Sequence, residues 1–390
     1  MSDASRHILY AIAESTYGVC PASPAFLTKR HIGCTLGFTK QAMISEELRA
    51  DRQIEDYRHG AKSVGGNVDA EMSYGSHDEL YEATLCGTWA AKVAPYSATT
   101  ISAAASDNSI NDSANGLPLL DPGDKITTTG FTGGGAGNNQ VKLVVVSSTV
   151  SKLVVSGGTA LVDAAASPSV TVTTLTNTLM AGVVRRSFSL LRNFADQTTG
   201  QLPFHLLTGV EFNKLDIDVK VESLIKVTFG VVGQAMALSD TAPASSTFTA
   251  VNTNPLVDTF TGTIYEGGTA LATVTELKLT LDNGIAPRFV IGSDTTINPS
   301  IGRSNGTGQV TAFFENAALL QKFLGQTESS IVLFIKDGLG NGIRLKLPRL
   351  KYNGGQPDTK GQGPIMIALP FQLIRDTVSG SNIILERIAA

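Results

Sequence analysis

Few residues of this chain stand in patterns that support catalysis. Gly302-Arg303-Ser304-Asn305-Gly306 fits G-x-S-x-G, the arrangement that exposes a serine nucleophile on a sharp strand-to-helix turn. That chemistry needs a histidine base later in the chain, yet His7, His31, His59, His77 and His205 all precede Ser304. Asp216 and Asp218 form a carboxylate pair, but at i and i+2 on a strand such residues make a solvated face more often than an acid–base couple. The glycine-rich run from Gly130 to Gly137 lacks the Lys and Ser/Thr of a phosphate-binding loop, and no helix pattern follows it. Asn111, Ser113 and Asn115-Gly116 begin like a calcium loop, but Pro122 occupies the twelfth position, where a bidentate Glu is needed. The histidines are scattered singly and Cys-x-x-Cys is absent, so no zinc site is supported. The expectation is a protein that is not an enzyme and that needs no metal or cofactor.

Composition narrows the alternatives. The 390 residues are 42% hydrophobic and 16% charged, which argues against global disorder. Thirty Lys and Arg against 34 Asp and Glu give −4, so the total charge carries no signature of nucleic-acid binding. Three cysteines (Cys20, Cys34, Cys86) fit small hydrophobes in a reducing compartment better than a disulfide framework. No apolar run approaches the length of a membrane span, and the short run Ile8 to Ala13 is cut by Glu14. A soluble chain made in the cytoplasm is expected.

The elements that carry these residues occur twice. Leu36-Gly37-Phe38-Thr39 resembles Leu277-Lys278-Leu279-Thr280, Asp51 and Ile54 match Asp294 and Ile297, and Gly66-x-Val68-x-Ala70 matches Gly308-x-Val310-x-Ala312. The offset stays between 241 and 243. A helix follows each block: Leu80, Tyr81, Thr84 and Leu85 share one face behind Ser76 or His77, and Leu319, Leu320, Phe323 and Leu324 do so behind Asn316. Farther on, Phe188-x-Leu190-x-Arg192 pairs with Val332-x-Phe334-x-Lys336. Phe212-Asn213 pairs with Tyr352-Asn353, and Ile225 to Val231 with Ile365 to Phe371. The offset is 239 at the helices, 144 at the first of these pairs and 140 at the last two. The drop from 239 to 144 says that the first copy carries about 95 extra residues between Trp89 and Val183.

Elsewhere the period is two, clearest in Leu215 to Glu222 and Asn67 to Tyr74. The fold expected is therefore all-β with two short helices, a tandem duplication of one β-sandwich or barrel. Residues 1–98 and 183–237 form the first copy and 258–390 the second. Residues 238–257, rich in Ser, Thr, Ala and Pro, form a linker. Residues 99–182 form an inserted small all-β domain. It opens on a Ser/Ala/Asn/Asp stretch and continues with β patterns at Lys125 to Thr128, Val141 to Val146, Leu153 to Val155 and Val170 to Val172.

Charge concentrates between Lys40 and Lys62, with five acids (Glu46, Glu47, Asp51, Glu55, Asp56) and five bases (Lys40, Arg49, Arg52, Arg58, Lys62) in a long hairpin arm. Balanced charge of this kind gives register to an interface. The arm sequence Ser45 to Ile54, the stretch Gly60 to Val68 and Tyr81 to Trp89 resemble tail tube (major tail) proteins of long-tailed bacteriophages. So do Glu14 to Pro21, Pro299 to Asn305 and Leu347 to Gly355. The resemblance covers both copies and leaves out the insert.

What the resemblance implies is a self-assembling virion protein, synthesised in the host cytoplasm and located in the tail. Its tail-tube-type β-sandwich or barrel forms six-fold rings, and stacked rings make a conduit for DNA. Its partners would be itself, a tape measure protein, tail terminator and tip proteins, and DNA that passes without specific binding; no membrane is involved. Two folds per chain predict a trimeric ring with pseudo-sixfold symmetry. Inter-ring contacts are expected from Glu46, Glu47, Arg49, Asp51, Arg52, Asp56 and Arg58, with Asp294 in the shorter second loop. Lumen-facing candidates are Asp69, Glu71, Asp216, Asp218 and Glu222, with Asp282 and Asp358 in the second copy; an acidic lining would repel phosphate instead of gripping it. The insert is expected to project outward. The alternatives are the tube of a contractile tail or injection machine, and a β-rich adhesin or carbohydrate-binding protein.

Overall fold

The computed structural model describes residues 3–166, 169–359 and 362–390. The chain is mostly strand. In the first half, β1 (His7–Ala13), β2 (Ala25–Lys29), β3 (Gly37–Ile44) and β4 (Tyr57–Glu71) precede helix α1 (Asp78–Leu85). After an excursion come β5 (Thr176–Met180), β6 (Phe188–Phe194), β7 (Phe204–Lys220) and β8 (Lys226–Gly233). The second half contains β9 (Thr263–Glu266), β10 (Thr269–Ala270), β11 (Val274–Asp282), β12 (Asn305–Phe313), α2 (Ala318–Leu324), β13 (Ser329–Lys336), β14 (Gly342–Tyr352), β15 (Met366–Leu373) and β16 (Ile384–Ile388).

The two halves pair their strands in the same antiparallel order. In the first, the order is β3-β4-β8-β7-β6-β1-β2. In the second, it is β11-β12-β15-β14-β13-β9-β10. Registers correspond as well: Phe212 faces Val231 where Tyr352 faces Phe371, and Val68 faces Phe229 where Val310 faces Leu369.

Gly66 and Gly308 occupy corresponding sites for one physical reason. A Cβ on Gly66 would lie 2.5 Å from the Thr35 carbonyl oxygen, and one on Gly308 would lie 2.4 Å from that of Lys278. Thr35 therefore corresponds to Lys278, and the ladders agree, with Gly37 facing Gly65 where Thr280 faces Thr307. The equivalent of Leu36 is thus Leu279, two residues beyond the Leu277 that the sequence pattern suggests.

A single core runs through both halves, with Leu80, Tyr81, Phe212, Phe229, Leu279, Leu347 and Phe371 all at or below 4% exposure. Helix α1 buries Leu80, Tyr81, Ala83, Thr84 and Leu85. Helix α2 has no fully buried residue and packs Leu319, Leu320 and Phe323 at the core margin. Asn316, one residue before the N-cap Ala317, accepts the Ala318 N–H on its Oδ1 at 2.9 Å.

Seven strands between Tyr96 and Thr174 form a separate sheet with its own core of Ile101, Ile110, Ile126, Leu143, Leu153 and Val170. Three of these strands (Tyr96–Ala98, Ile101–Ala104, Ser109–Asp112) lie in the polar opening stretch, where single isoleucines face inward between polar neighbours. The sheet ends at Thr174. β5 belongs elsewhere: it pairs with β16 and with Ala90–Ala91 of the first half.

The polar segment 238–257 lies along the first half. Thr247–Phe248 pairs in parallel with β2, Asn254 Nδ2 donates to the Tyr74 carbonyl at 2.8 Å, and Val257 is 1% exposed. Its Asn and Thr side chains supply hydrogen bonds that tie it down, where the composition alone suggests a free tether.

Candidate functional site

The most extended feature is an eight-stranded antiparallel wall. β7 of the first half pairs with β11 of the second, from Lys214 facing Asp282 to Lys220 facing Glu276, and so joins the two sets of strands into β3-β4-β8-β7-β11-β12-β15-β14. Strict alternation divides its faces. Val64, Val68, Ala70, Leu215, Ile217, Val219, Val227, Phe229, Leu277 and Leu279 point into the core, and their neighbours form the opposite, half-exposed face.

On that face, β4, β8, β7 and β11 carry six acids (Asp69, Glu71, Asp216, Asp218, Glu276, Asp282) and four lysines (Lys214, Lys220, Lys226, Lys278). β12 and β15 show Asn305, Thr307, Gln309 and Thr311, then Ala368 and Gln372, all uncharged. The acidic character is therefore mild and lies mainly on the first half. Lateral bonds hold the carboxylates in place. Lys214 reaches Asp216 at 2.9 Å and Lys278 reaches Glu276 at 2.8 Å, while Thr228 and Thr280 donate to Asp69 and Asp216 at 2.6 and 2.5 Å. Asp69, Asp216 and Glu276 are held this way, while a buried oxygen of Asp218 has no hydrogen-bond partner among the described residues.

Five lumen-facing candidates, Asp69, Glu71, Asp216, Asp218 and Asp282, come together on this one face. Glu222 does not: β7 ends at Lys220, Val221 is half exposed, and Glu222 sits in the turn with φ of 57°. The apparent alternation runs on past the point where the chain turns. Asp358 pairs with Met366 at the wall's edge, and its side chain lies outside the described residues, as does all of Lys360. Ser73 has also left its strand; it is buried and bonds Ser76 at 2.5 Å.

β3 and β4 continue beyond the wall as the arm, paired as far as Ile44 and Tyr57, with residues 45–56 at its tip. Much of its charge is satisfied internally. Arg49 bonds Asp51 at 3.0 Å and also Glu55, and Arg58 bonds Asp56 at 2.9 Å. Glu46, Glu47 and Arg52 stand exposed, Arg52 with φ of 60°. Arg49 holds the exposed Asp51 carboxyl below its ordinary range. Sequence reasoning missed the apolar content of this arm: Leu48 and Ile54 are open to solvent, and Met43, Ile44 and Tyr57 are half exposed.

Asp294 behaves differently from its counterparts. It pairs with Lys62, and its carbonyl accepts the Lys62 N–H at 2.7 Å, so the second-half loop is laid onto β4 of the first half. Gln234 Nε2 donates to the Thr296 carbonyl at 2.8 Å and Arg185 to that of Pro299 at 3.0 Å, completing the contact. The exposed Phe289, Val290 and Ile291 lie on this loop.

A second cluster was not foreseen. Asp121, Asp124 and Glu386 converge as a divalent-cation site would require, yet three cationic side chains occupy the space between them. Arg344 bonds Asp124 at 2.8 Å and Glu386 at 2.6 Å; Lys92 bonds Asp124 at 2.6 Å; Lys346 bonds Glu386 at 2.7 Å; and Asp121 bonds both lysines. Burial opposes ionisation of Asp121, but Lys92 and Lys346 outweigh it and hold the carboxyl far below the usual range. The cluster clamps the seven-stranded sheet to β14 and β16 of the second half. The available signal was Arg344 and Lys346 at i and i+2 among Ile343, Leu345 and Leu347, two cations on one face of an apolar run.

Ser304 leads into strand β12 and not into a helix, so the nucleophile elbow is not built. Gly133–Asn138 is a short 3-10 turn within the seven-stranded unit. A family model described as phage tail tube protein matches residues 4–373. No curated protein matches the chain.

Proposed function

We propose, from the premise that this chain belongs to the phage tail tube protein family, that copies of it close into rings of three and stack as the conduit for DNA. Membership itself makes it a structural protein of the virion tail. The observation that carries the finer reading is the wall. Two sets of strands with one pairing order are already joined within the chain through β7 and β11, as neighbouring folds in a ring would be. Three such chains supply six folds and pseudo-sixfold symmetry.

Twenty-four strands spaced about 4.8 Å apart and tilted about 40° close a barrel roughly 45–50 Å across between backbones. The polar face of the wall, with Asp69, Glu71, Asp216, Asp218 and Asp282, lines that channel. Few free cations on it means few phosphate contacts, each of which would add salt-sensitive affinity and drag. Closing every edge onto a neighbour also turns an aggregation hazard into assembly.

The arm, with Glu46, Glu47, Arg49, Asp51, Arg52, Asp56 and Arg58, makes the inter-ring contact, and its exposed Leu48 and Ile54 supply apolar area that its self-paired charges do not. The seven-stranded unit stands on the outer surface, clamped by the Arg344 cluster, where a close-fitting sheath would collide with it; this favours a noncontractile tail. Tape measure, terminator and tip proteins complete the assembly. Electron microscopy of the purified protein tests the reading. Filaments with three chains per ring are expected, and six chains per ring would overturn the stoichiometry.

A further inference from the structure

Resting on the self-assembly reading above, we infer the register in which neighbouring chains meet. The edge of β3 in one chain pairs antiparallel with residues 353–359 of a second copy, Phe38 opposite Gly355 and Leu36 opposite Pro357. The template is the seam inside the chain. There Leu215 faces Leu281 and Ile217 faces Leu279, with backbone bonds from Asn283 N–H to the Asn213 carbonyl at 3.0 Å and from Val221 N–H to that of Thr275 at 3.1 Å.

Both sides of this seam have counterparts at open edges. Ile217 faces Val227 where Pro357 faces Ile367, so residues 353–359 occupy the place of β7. Gly37 faces Gly65 where Thr280 faces Thr307, so β3 occupies the place of β11. Among the described residues, β3 pairs only with β4, and Pro357–Asp358 only with β15. Moving the internal seam onto these edges fixes the register without adjustable choice.

An independent observation supports that register. On the internal seam, Ile217 stands at a hydrogen-bonded position and its N–H points at Leu279. Its counterpart Pro357 has no N–H to give; sheets place proline at edges, strand starts and bulges, and Pro357 begins its short strand. The residue placed opposite is Leu36, whose carbonyl already accepts from Arg192 Nη1 at 2.5 Å. A missing donor thus meets an acceptor that needs none. A shift of two residues would set Pro357 against Phe38 or Cys34 and forfeit a backbone bond.

The seams differ in side-chain chemistry. Inside the chain, Lys214 faces Asp282, Asp218 faces Lys278 and Lys220 faces Glu276. The closing seam sets Gly354 against Thr39 and Gln356 against Gly37, with no charge at either pair. The chain-to-chain junction is held by backbone bonds and apolar contact, and salt does little to it.

Gly37 and Gln356 fall at a non-hydrogen-bonded pair, where Cα atoms lie about 4.5 Å apart, within disulfide reach. The test is the full chain carrying Gly37→Cys with Gln356→Cys, assembled, oxidised and run on a non-reducing gel, with electron microscopy of the same sample. Covalent trimers in most of the material are expected. The pair Thr39→Cys with Gln356→Cys, two residues out of register, should link at least tenfold less, and the unaltered chain with its own three cysteines not at all. Tubes on the grid with no link, or equal linking by the shifted pair, overturn the register and leave self-assembly standing. Chains that stay single on the grid refute self-assembly and this inference with it.

Discussion

Replacing Arg344 with methionine tests the clamp between the seven-stranded unit and the second half. Arg344, Asp124 and Glu386 are each at most 3% exposed at the side chain, so water does little to screen what is lost. The substitution keeps an unbranched apolar side chain but removes the guanidinium that lies 4.8 Å over the Phe334 ring, leaving three carboxylates to two lysines. Breaking a buried ion pair by removing one partner costs about 3–5 kcal/mol, because the surviving charge stays in place without compensation. Restoring the balance should recover much of this: Asp124→Asn added to Arg344→Met leaves Asp121 and Glu386 against Lys92 and Lys346. The double variant should be at least about 1.5 kcal/mol more stable than Arg344→Met alone, a coupling of the size that neighbours in one network show. The assay is equilibrium urea unfolding of the unassembled chain, followed by Trp89. It is the only tryptophan and sits 4.8 Å from the Arg387 guanidinium on β16, next to the clamp. A loss below about 1 kcal/mol for Arg344→Met, or no recovery in the double variant, would falsify the view that these six charges act as one unit.

Four further outcomes are expected. His77 is fully buried, donates to the Arg30 carbonyl at 2.8 Å and has its pKa lowered to about 4 by burial. The unfolded chain binds a proton near pH 6.5 that the folded chain refuses, so stability falls as pH drops from about 6.5 towards 4, by up to about 3 kcal/mol, and levels off below; urea midpoints at pH 7.5 and 4.5 should show this loss, and His77→Gln should remove its share. Gly308→Ala forces a methyl group against Phe371 and the Lys278 carbonyl at under 2.5 Å, and should cost at least about 2 kcal/mol in the same assay. Arg49, Arg52 and Arg58 all changed to Ala should leave soluble protein that forms fewer tubes by sedimentation, and Leu48→Ser with Ile54→Ser should reduce them further; tube yields equal to the unaltered chain would count against the arm. Tubes moved from 0.1 to 1 M NaCl should keep their length in micrographs, since the closing seam carries no ion pair, and shortening would contradict the register argued for it.

Much of the wall was legible because a strand writes its two faces into alternate residues, as in Leu215, Ile217 and Val219 against Asp216 and Asp218. What the alternation does not carry is position along the strand. Matching Leu36 to Leu277 or to Leu279 places leucine on the same face, since the period is two, and only the close approach at Gly66 and Gly308 separates the choices. For the same reason the pattern ran on to Glu222, past the end of β7. The strands at Ile101 and Ile110 escaped notice because each buries only a single large apolar residue among small and polar ones. Of the Arg344 cluster only Arg344 and Lys346 left a trace in the sequence, because its six members span Lys92 to Glu386 and meet only once the sheet between them has formed. The arm showed its charges plainly, but sequence does not reveal that Arg49 and Arg58 spend them on Asp51, Glu55 and Asp56 next door.

The pairing of β5 with β16 sets a schedule for biosynthesis. Thr176 to Met180 must wait for Ile384 to Ile388, about two hundred residues later, before the strand that also borders β14 is in place. At a translation rate of about 5–20 residues per second the delay is on the order of ten to forty seconds. Through that interval the nascent chain lacks the second half that completes its wall, and the clamp around Arg344 has no Glu386. A polymer whose subunits carry two sticky edges faces the danger of joining while still on the ribosome. Here β16 also fixes the relation of the two halves, so the wall and its clamp are complete only once residues 384–388 have been made.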